Sequence, residues 1–199
     1  MEGKPVSMKE EQIINVAREL FTTYGYKRVS MDEIAKKANV TKKTVYSYFK
    51  SKEELLKFFI NEEIYNMKKI VEETENSNLP YFKNVHNVIY KLLEYKSESK
   101  FIKSIVREGE IFNNNIVLSN LKQIDTEIQE YIEKRIEEAV EKRYIEVADI
   151  KITSFLIYKM YIALMFEWSD VKIDKQKIAD NIIKILQNGI ERKDDEKNE

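Results

Sequence analysis

Cysteine is absent from the 199 residues, which excludes disulfides, thiolate metal ligation and a cysteine nucleophile. Histidine occurs once, so no His-x-x-x-His metal pair exists and His86 has no recognisable triad setting. A glycine-rich phosphate loop is also missing, and the glutamate pairs, such as Glu137-Glu138, read as solvated helix faces. These absences predict no enzyme activity, no metal and no cofactor. Only two prolines and four glycines interrupt a chain that is 35% charged and 43% hydrophobic. So few turn formers among so many Glu, Lys and Ile predict an all-α fold. No apolar run approaches the ~20 residues that span a bilayer. The opening MEGKPVSMKEE lacks the apolar core of a signal peptide. The expectation is therefore a cytoplasmic protein with no membrane partner.

A net charge of −1 hides a division along the chain. Residues 1–52 hold eleven Lys/Arg and six Asp/Glu (+5), and the remainder holds twenty-three and twenty-nine (−6). A basic head on an acidic body suits a protein that offers one end to a polyanion.

The most informative stretch is SMDEIAKKANVTKKTVYSYFKSKEELL, from Ser30 to Leu56. Ser30 and Glu33 have the spacing of a capping box. Ile34, Ala35 and Ala38 give the helix that follows one small apolar face. Asn39 tolerates the left-handed backbone of a turn, Val40 plugs it, and Thr41 is an N-cap. Val45 and Phe49, four apart, point inward in the next helix. Thr41, Lys42, Lys43, Thr44, Ser47 and Tyr48 are left outside, and none is acidic. Ser51 then caps a longer helix. The pattern is a helix-turn-helix with a short, basic, hydroxyl-rich second helix.

From Ala17 to Leu56 the chain resembles the TetR family of bacterial transcriptional regulators. The resemblance rests on Phe21 to Tyr26, Ser30, Ile34 to Ala38, Val40-Thr41, Tyr46 to Phe49 and Ser51 to Leu55. Lys43 stands where a small residue is frequent in the family, and Ser47 where a larger one is. Both are outward positions, so the departures bear on DNA sequence preference and leave the fold alone.

The three-helix head is expected over 1–56, a helical bundle over 57–190, and a charged, disordered tail over 191–199. A first scaffold helix fits Lys9 to Tyr24 and stops at Gly25. Further helices fit Leu55 to about Glu75, Tyr81 to Tyr95, Ile116 to Arg143, a segment capped by Asp149, and Asp174 to Ile190. The segment SFLIYKMYIALMFEW is apolar nearly all round and needs cover on more than one side. A homodimer built on the last two helices supplies it, and the family resemblance implies the same arrangement.

Lys42, Lys43 and Thr44 are placed to reach base edges in the major groove, with Ser47 and Tyr48 one turn later. Ser30, Thr41, Tyr46 and Lys52 are better placed as phosphate clamps. The resemblance adds that the positions matching Tyr46 and Lys52 commonly touch the DNA backbone. It also implies a ligand cavity in the body, for which Phe82, His86, Tyr90, Phe101, Phe112, Phe155, Tyr158 and Met165 are the candidate lining. The function so implied is a regulator, most simply a repressor, that grips a pseudo-palindromic double-stranded operator as a dimer and is released by a small-molecule effector. The alternative is a helical protein–protein adaptor whose basic head binds an acidic partner and reads no DNA sequence.

Overall fold

The computed structural model describes residues 7–75, 78–105, 115–164 and 174–190. Every regular element among them is helical: α1 (Met8–Tyr24), α2 (Met31–Lys37), α3 (Lys42–Tyr48), α4 (Lys52–Thr74), α5 (Tyr81–Glu98), the described part of α6 (residues 100–105), α7 (Asn115–Glu141), α8 (Ile150–Ile162) and α9 (Lys175–Ile190). None of these helices is long and apolar enough to cross a membrane. The expected tail 191–199, Phe112 and Met165 lie outside the described residues.

The chain divides into two compact units, Met1–Asn66 with Ser97–Lys122, and Met67–Lys96 with Gln123–Glu199. In the first unit the stripe Ile13, Ala17, Leu20 and Phe21 of α1 is buried, as its helical spacing predicts. It shares a core with Ile34 and Ala38, with Val45 of α3, and with Leu55, Leu56 and Phe59 of α4, each of which has no exposed surface. Burial of a large apolar side chain stabilises by roughly 1.5–3 kcal/mol, so these residues carry the head. Phe21 meets Tyr26 and Phe59 edge to face, at centroid distances of 5.4 and 5.8 Å.

Residues 100–105 belong to this unit. Phe101, Ile102 and Ile105 are buried, the Phe101 ring meets Phe59 at 5.6 Å, and Ser104 Oγ donates to the Phe21 carbonyl at 3.0 Å. The Arg18 guanidinium lies over Phe59 and Phe101, 4.6 and 5.1 Å from the centroids. Its Nη1 donates to Glu63 Oε1 at 2.9 Å, and Nη2 faces Glu62 Oε2 at the same distance without hydrogen-bond alignment.

The second unit packs Phe82 of α5, Ile136 and Ala139 of α7, Ile145 and Ile183 of α9 into one apolar cluster. Helix α7 ends in a Schellman motif: Arg143 has φ 58°, its N–H bonds to Val140 O, and Tyr144 N–H bonds to Ala139 O. Asp149 caps α8 by accepting from Ile152 N–H at 2.8 Å, as expected. His86 is buried at 8% exposure, not half-exposed as a lone histidine usually is. Its Nε2 lies 2.8 Å from Asp180 Oδ1, while its Nδ1 has no partner among the described residues.

Candidate nucleic-acid interface

The helix-turn-helix is built by local chemistry. Ser30 caps α2 reciprocally, its Oγ accepting from Glu33 N–H while Glu33 Oε2 accepts from Ser30 N–H at 2.7 Å. These bonds from Ser30, the backbone one foremost, hold the Glu33 carboxyl below the usual carboxylate range. At the other end Asn39 has φ 51°, with Asn39 N–H bonded to Lys36 O and Val40 N–H to Ala35 O. That is again a Schellman motif, and it sets the angle at which α3 leaves α2. Thr41 caps α3 by accepting from Thr44 N–H, and the two hydroxyls lie 2.8 Å apart. Val45 and Phe49 point into the core and fix which face of α3 looks out.

The outward face carries Lys42, Lys43, Tyr46 and Ser47, all exposed. Lys42 Nζ pairs with Asp32 Oδ1 of α2 at 2.7 Å, and this hydrogen bond raises the lysine pKa. Lys43 makes no described contact of its ammonium. Ser47 Oγ donates to Thr44 O at 2.7 Å, so its proton is used within the helix and its lone pairs remain to accept. Tyr48 is half-buried, its hydroxyl 2.8 Å from Ser7 Oγ, the cap of α1.

Lys52 has a role that its position in the sequence does not disclose. Its ammonium donates to Tyr26 O and Val29 O at 2.8 Å each, lies 3.5 Å from Lys27 O, and sits 4.3 Å from the Tyr26 ring centroid. Tyr26 is itself buried, and its hydroxyl donates to Glu53 Oε1 at 3.0 Å. The α1–α2 loop is thus clamped to the start of α4. Glu53 is held below the usual carboxylate range, by backbone hydrogen bonding first and then by Ser51 and Tyr26. A surface cleft of about 380 Å³ opens beside this loop, lined by Arg28, Ser30, Asp32, Lys42, Tyr46 and Lys52 among others. It brings the expected phosphate-contacting Ser30, Tyr46 and Lys52 to one place. Arg28 and Asp32 join them, and no sequence motif singles out either.

Residues 13–57 match the family model of bacterial regulatory proteins of the tetR family. Across most of its length the chain is 32% identical to the HTH-type transcriptional regulator YhgD of Bacillus subtilis, over 86% of this chain and 91% of that one. The chain belongs to the TetR family. It is accordingly a helix-turn-helix, DNA-binding transcriptional regulator. Its fold is similar to that of a Clostridium perfringens protein described as a fatty acid metabolism regulator (28% identity, TM-score 0.63, 92% of this chain and 100% of that one). It is also similar to that of SmeT in its complex with triclosan (17% identity, TM-score 0.71, 94% of this chain and 93% of that one).

The body residues expected to face a ligand in this TetR-family chain fall in different places. Phe82, His86 and Tyr158 are buried in the second unit, and Tyr90 is half-buried there. Phe101 lies in the first unit, packed on Phe59 and Arg18. Phe155 is 45% exposed, with Lys159 Nζ 5.6 Å from its ring centroid.

Proposed function

We propose that this regulator is a repressor that binds a pseudo-palindromic operator as a dimer and releases it when a small-molecule effector occupies the body. The observation that carries the reading is the outward face of α3, where Lys42, Lys43, Thr44 and Ser47 lie away from the buried Val45 and Phe49. Two such faces related by a dyad enter successive major grooves ~34–36 Å apart. Support for the dimer comes from α8 and α9, where Ile152, Leu156 and Ile185 are 61%, 60% and 66% exposed. A large apolar residue left in water on each of two helices is what a paired bundle would cover. The effector reading draws on SmeT, whose structure is that of a triclosan complex, and on the buried Phe82, His86 and Tyr158 as candidate contacts. The proposed place of action is the cytoplasm, where such an operator lies.

The test is fluorescence anisotropy of the full chain against its own upstream DNA and a scrambled duplex, across salt concentrations. Binding to the upstream DNA that outlasts the scrambled duplex as salt rises is expected. Lys43→Ala is expected to change which operator is preferred. Equal, salt-fragile binding to every duplex, including a genomic fragment library, would favour the adaptor reading instead.

A further inference from the structure

We propose that Arg28 is the principal phosphate anchor of the cleft beside α3, and that Lys52 is the residue that positions it. The inference rests on the DNA-binding reading above and adds a contact that the helix-turn-helix pattern does not contain.

Three lysines and one arginine line the cleft: Lys27, Lys42, Lys52 and Arg28. A phosphate needs a donor that is free to turn towards it. Lysine has three N–H bonds, and those of Lys52 face the carbonyls of Tyr26, Val29 and Lys27. Turning Lys52 outward would leave two buried residues, Tyr26 and Val29, with unclamped carbonyls. Lys42 is held by Asp32 at 2.7 Å. Arg28 is exposed, and no acid pairs with it among the described residues. Its planar fork matches phosphate oxygens two at a time, which an ammonium does not.

Presentation matters as much as charge. Arg28 sits outside any helix, where a long side chain on a loose loop would lose much of its contact to ordering. Here the loop is not loose. Val29 is 4% exposed and Tyr26 2% exposed, so the chain is pinned on both sides of Arg28. Lys52 ties both of their carbonyls to the first turn of α4. Ser30 follows directly as the cap of α2. Arg28 therefore lines, from a fixed stretch of backbone, the cleft that Tyr46 of α3 also lines.

The two residues separate by experiment. Binding of the full chain to a random-sequence duplex of about three turns, ~30 base pairs, is measured from low to moderate salt. Each lost phosphate contact lowers the slope of log K against log salt by ~0.9, so Arg28→Ala in both protomers lowers it by ~1.8. Between 50 and 200 mM salt the affinity of the variant should then fall roughly twelvefold less than that of the parent. Arg28→Lys should restore most of the slope, and Arg28→Ala should leave the melting temperature unchanged. Lys52→Met should lower the melting temperature, and its effect on affinity should vanish in the Arg28→Ala background, because it acts through that residue. A parent that binds while Arg28→Ala keeps the full slope would overturn the proposal. So would Lys52→Met lowering the slope additively with Arg28→Ala, which would make Lys52 the clamp. A parent that binds no duplex at any salt would instead defeat the DNA-binding reading itself.

Discussion

Replacing Arg18 by Met tests the charged core of the head. Methionine keeps an unbranched apolar stem against Phe59 and Phe101, so the change removes charge more than packing. It takes the Arg18 charge away from Glu63, which is only 6% exposed and lies beside Glu62. Ser99 Oγ also donates to Glu63, at 3.4 Å, which is long for a hydrogen bond to a carboxylate. Breaking one side of a buried ion pair costs about 3–5 kcal/mol. The Arg18 side chain is 26% exposed, so water relieves part of the cost and about 3 kcal/mol is the appropriate figure. For a chain of this size that corresponds to a fall of roughly 6–12 °C in melting temperature. The assay is thermal unfolding followed by far-UV circular dichroism at one fixed protein concentration, since a dimer melts in a concentration-dependent way. Adding Glu63→Gln to Arg18→Met should recover much of the loss, because the carboxylate that Arg18 offset is then neutral. Lys37→Met supplies the contrast: its pair with Glu19 is 42% and 60% exposed, and its loss should cost at most about 1 kcal/mol. If Arg18→Met and Lys37→Met shift the melting temperature equally, the account of a buried, caged ion pair is wrong.

Three further outcomes are expected. Glu33 and Glu53 are both held below the usual carboxylate range. Their contribution to stability is therefore complete above that range and is lost as pH falls through it to their depressed values. Glu33→Gln should lower the urea midpoint at neutral pH and flatten its decline in acid, and an unchanged acid slope would refute the assignment. Asn39 has φ 51° at the end of α2, so Asn39→Ala should destabilise by about 1 kcal/mol in urea titration while Asn39→Gly is near neutral. Leu156→Glu places a charge on the exposed apolar face of α8 and should shift the chain towards monomer in analytical ultracentrifugation. An unchanged dimer would move the subunit interface elsewhere.

The head was legible in the sequence because its code is short-range. Ser30 with Glu33, Asn39 at the turn, Thr41 before α3 and Gly25 after α1 each act within a few residues, and each has the conformation its type predicts. The inward pair Val45 and Phe49 follows from helical spacing alone. The contacts that could not be read join residues far apart in the chain. Lys52 reads in the sequence as a phosphate clamp, and nothing local reveals the carbonyls it binds 23 and 26 residues earlier. The same holds for Ser104 on Phe21 and for His86 on Asp180, separated by 83 and 94 residues. Phe101 shows the ambiguity of an aromatic on a helical stripe: spacing marks it as inward-facing but does not say which core receives it.

The way α3 is held has a consequence for redesign. Its fold is secured by two buried residues, Val45 and Phe49, and by the Thr41 cap. Lys42, Lys43 and Ser47 carry no core packing, so a library randomised at those positions would sample new operators on an unchanged scaffold. Tyr48 does not share that freedom, because its hydroxyl meets the residue that starts α1, and rewriting it would loosen the first helix along with the specificity.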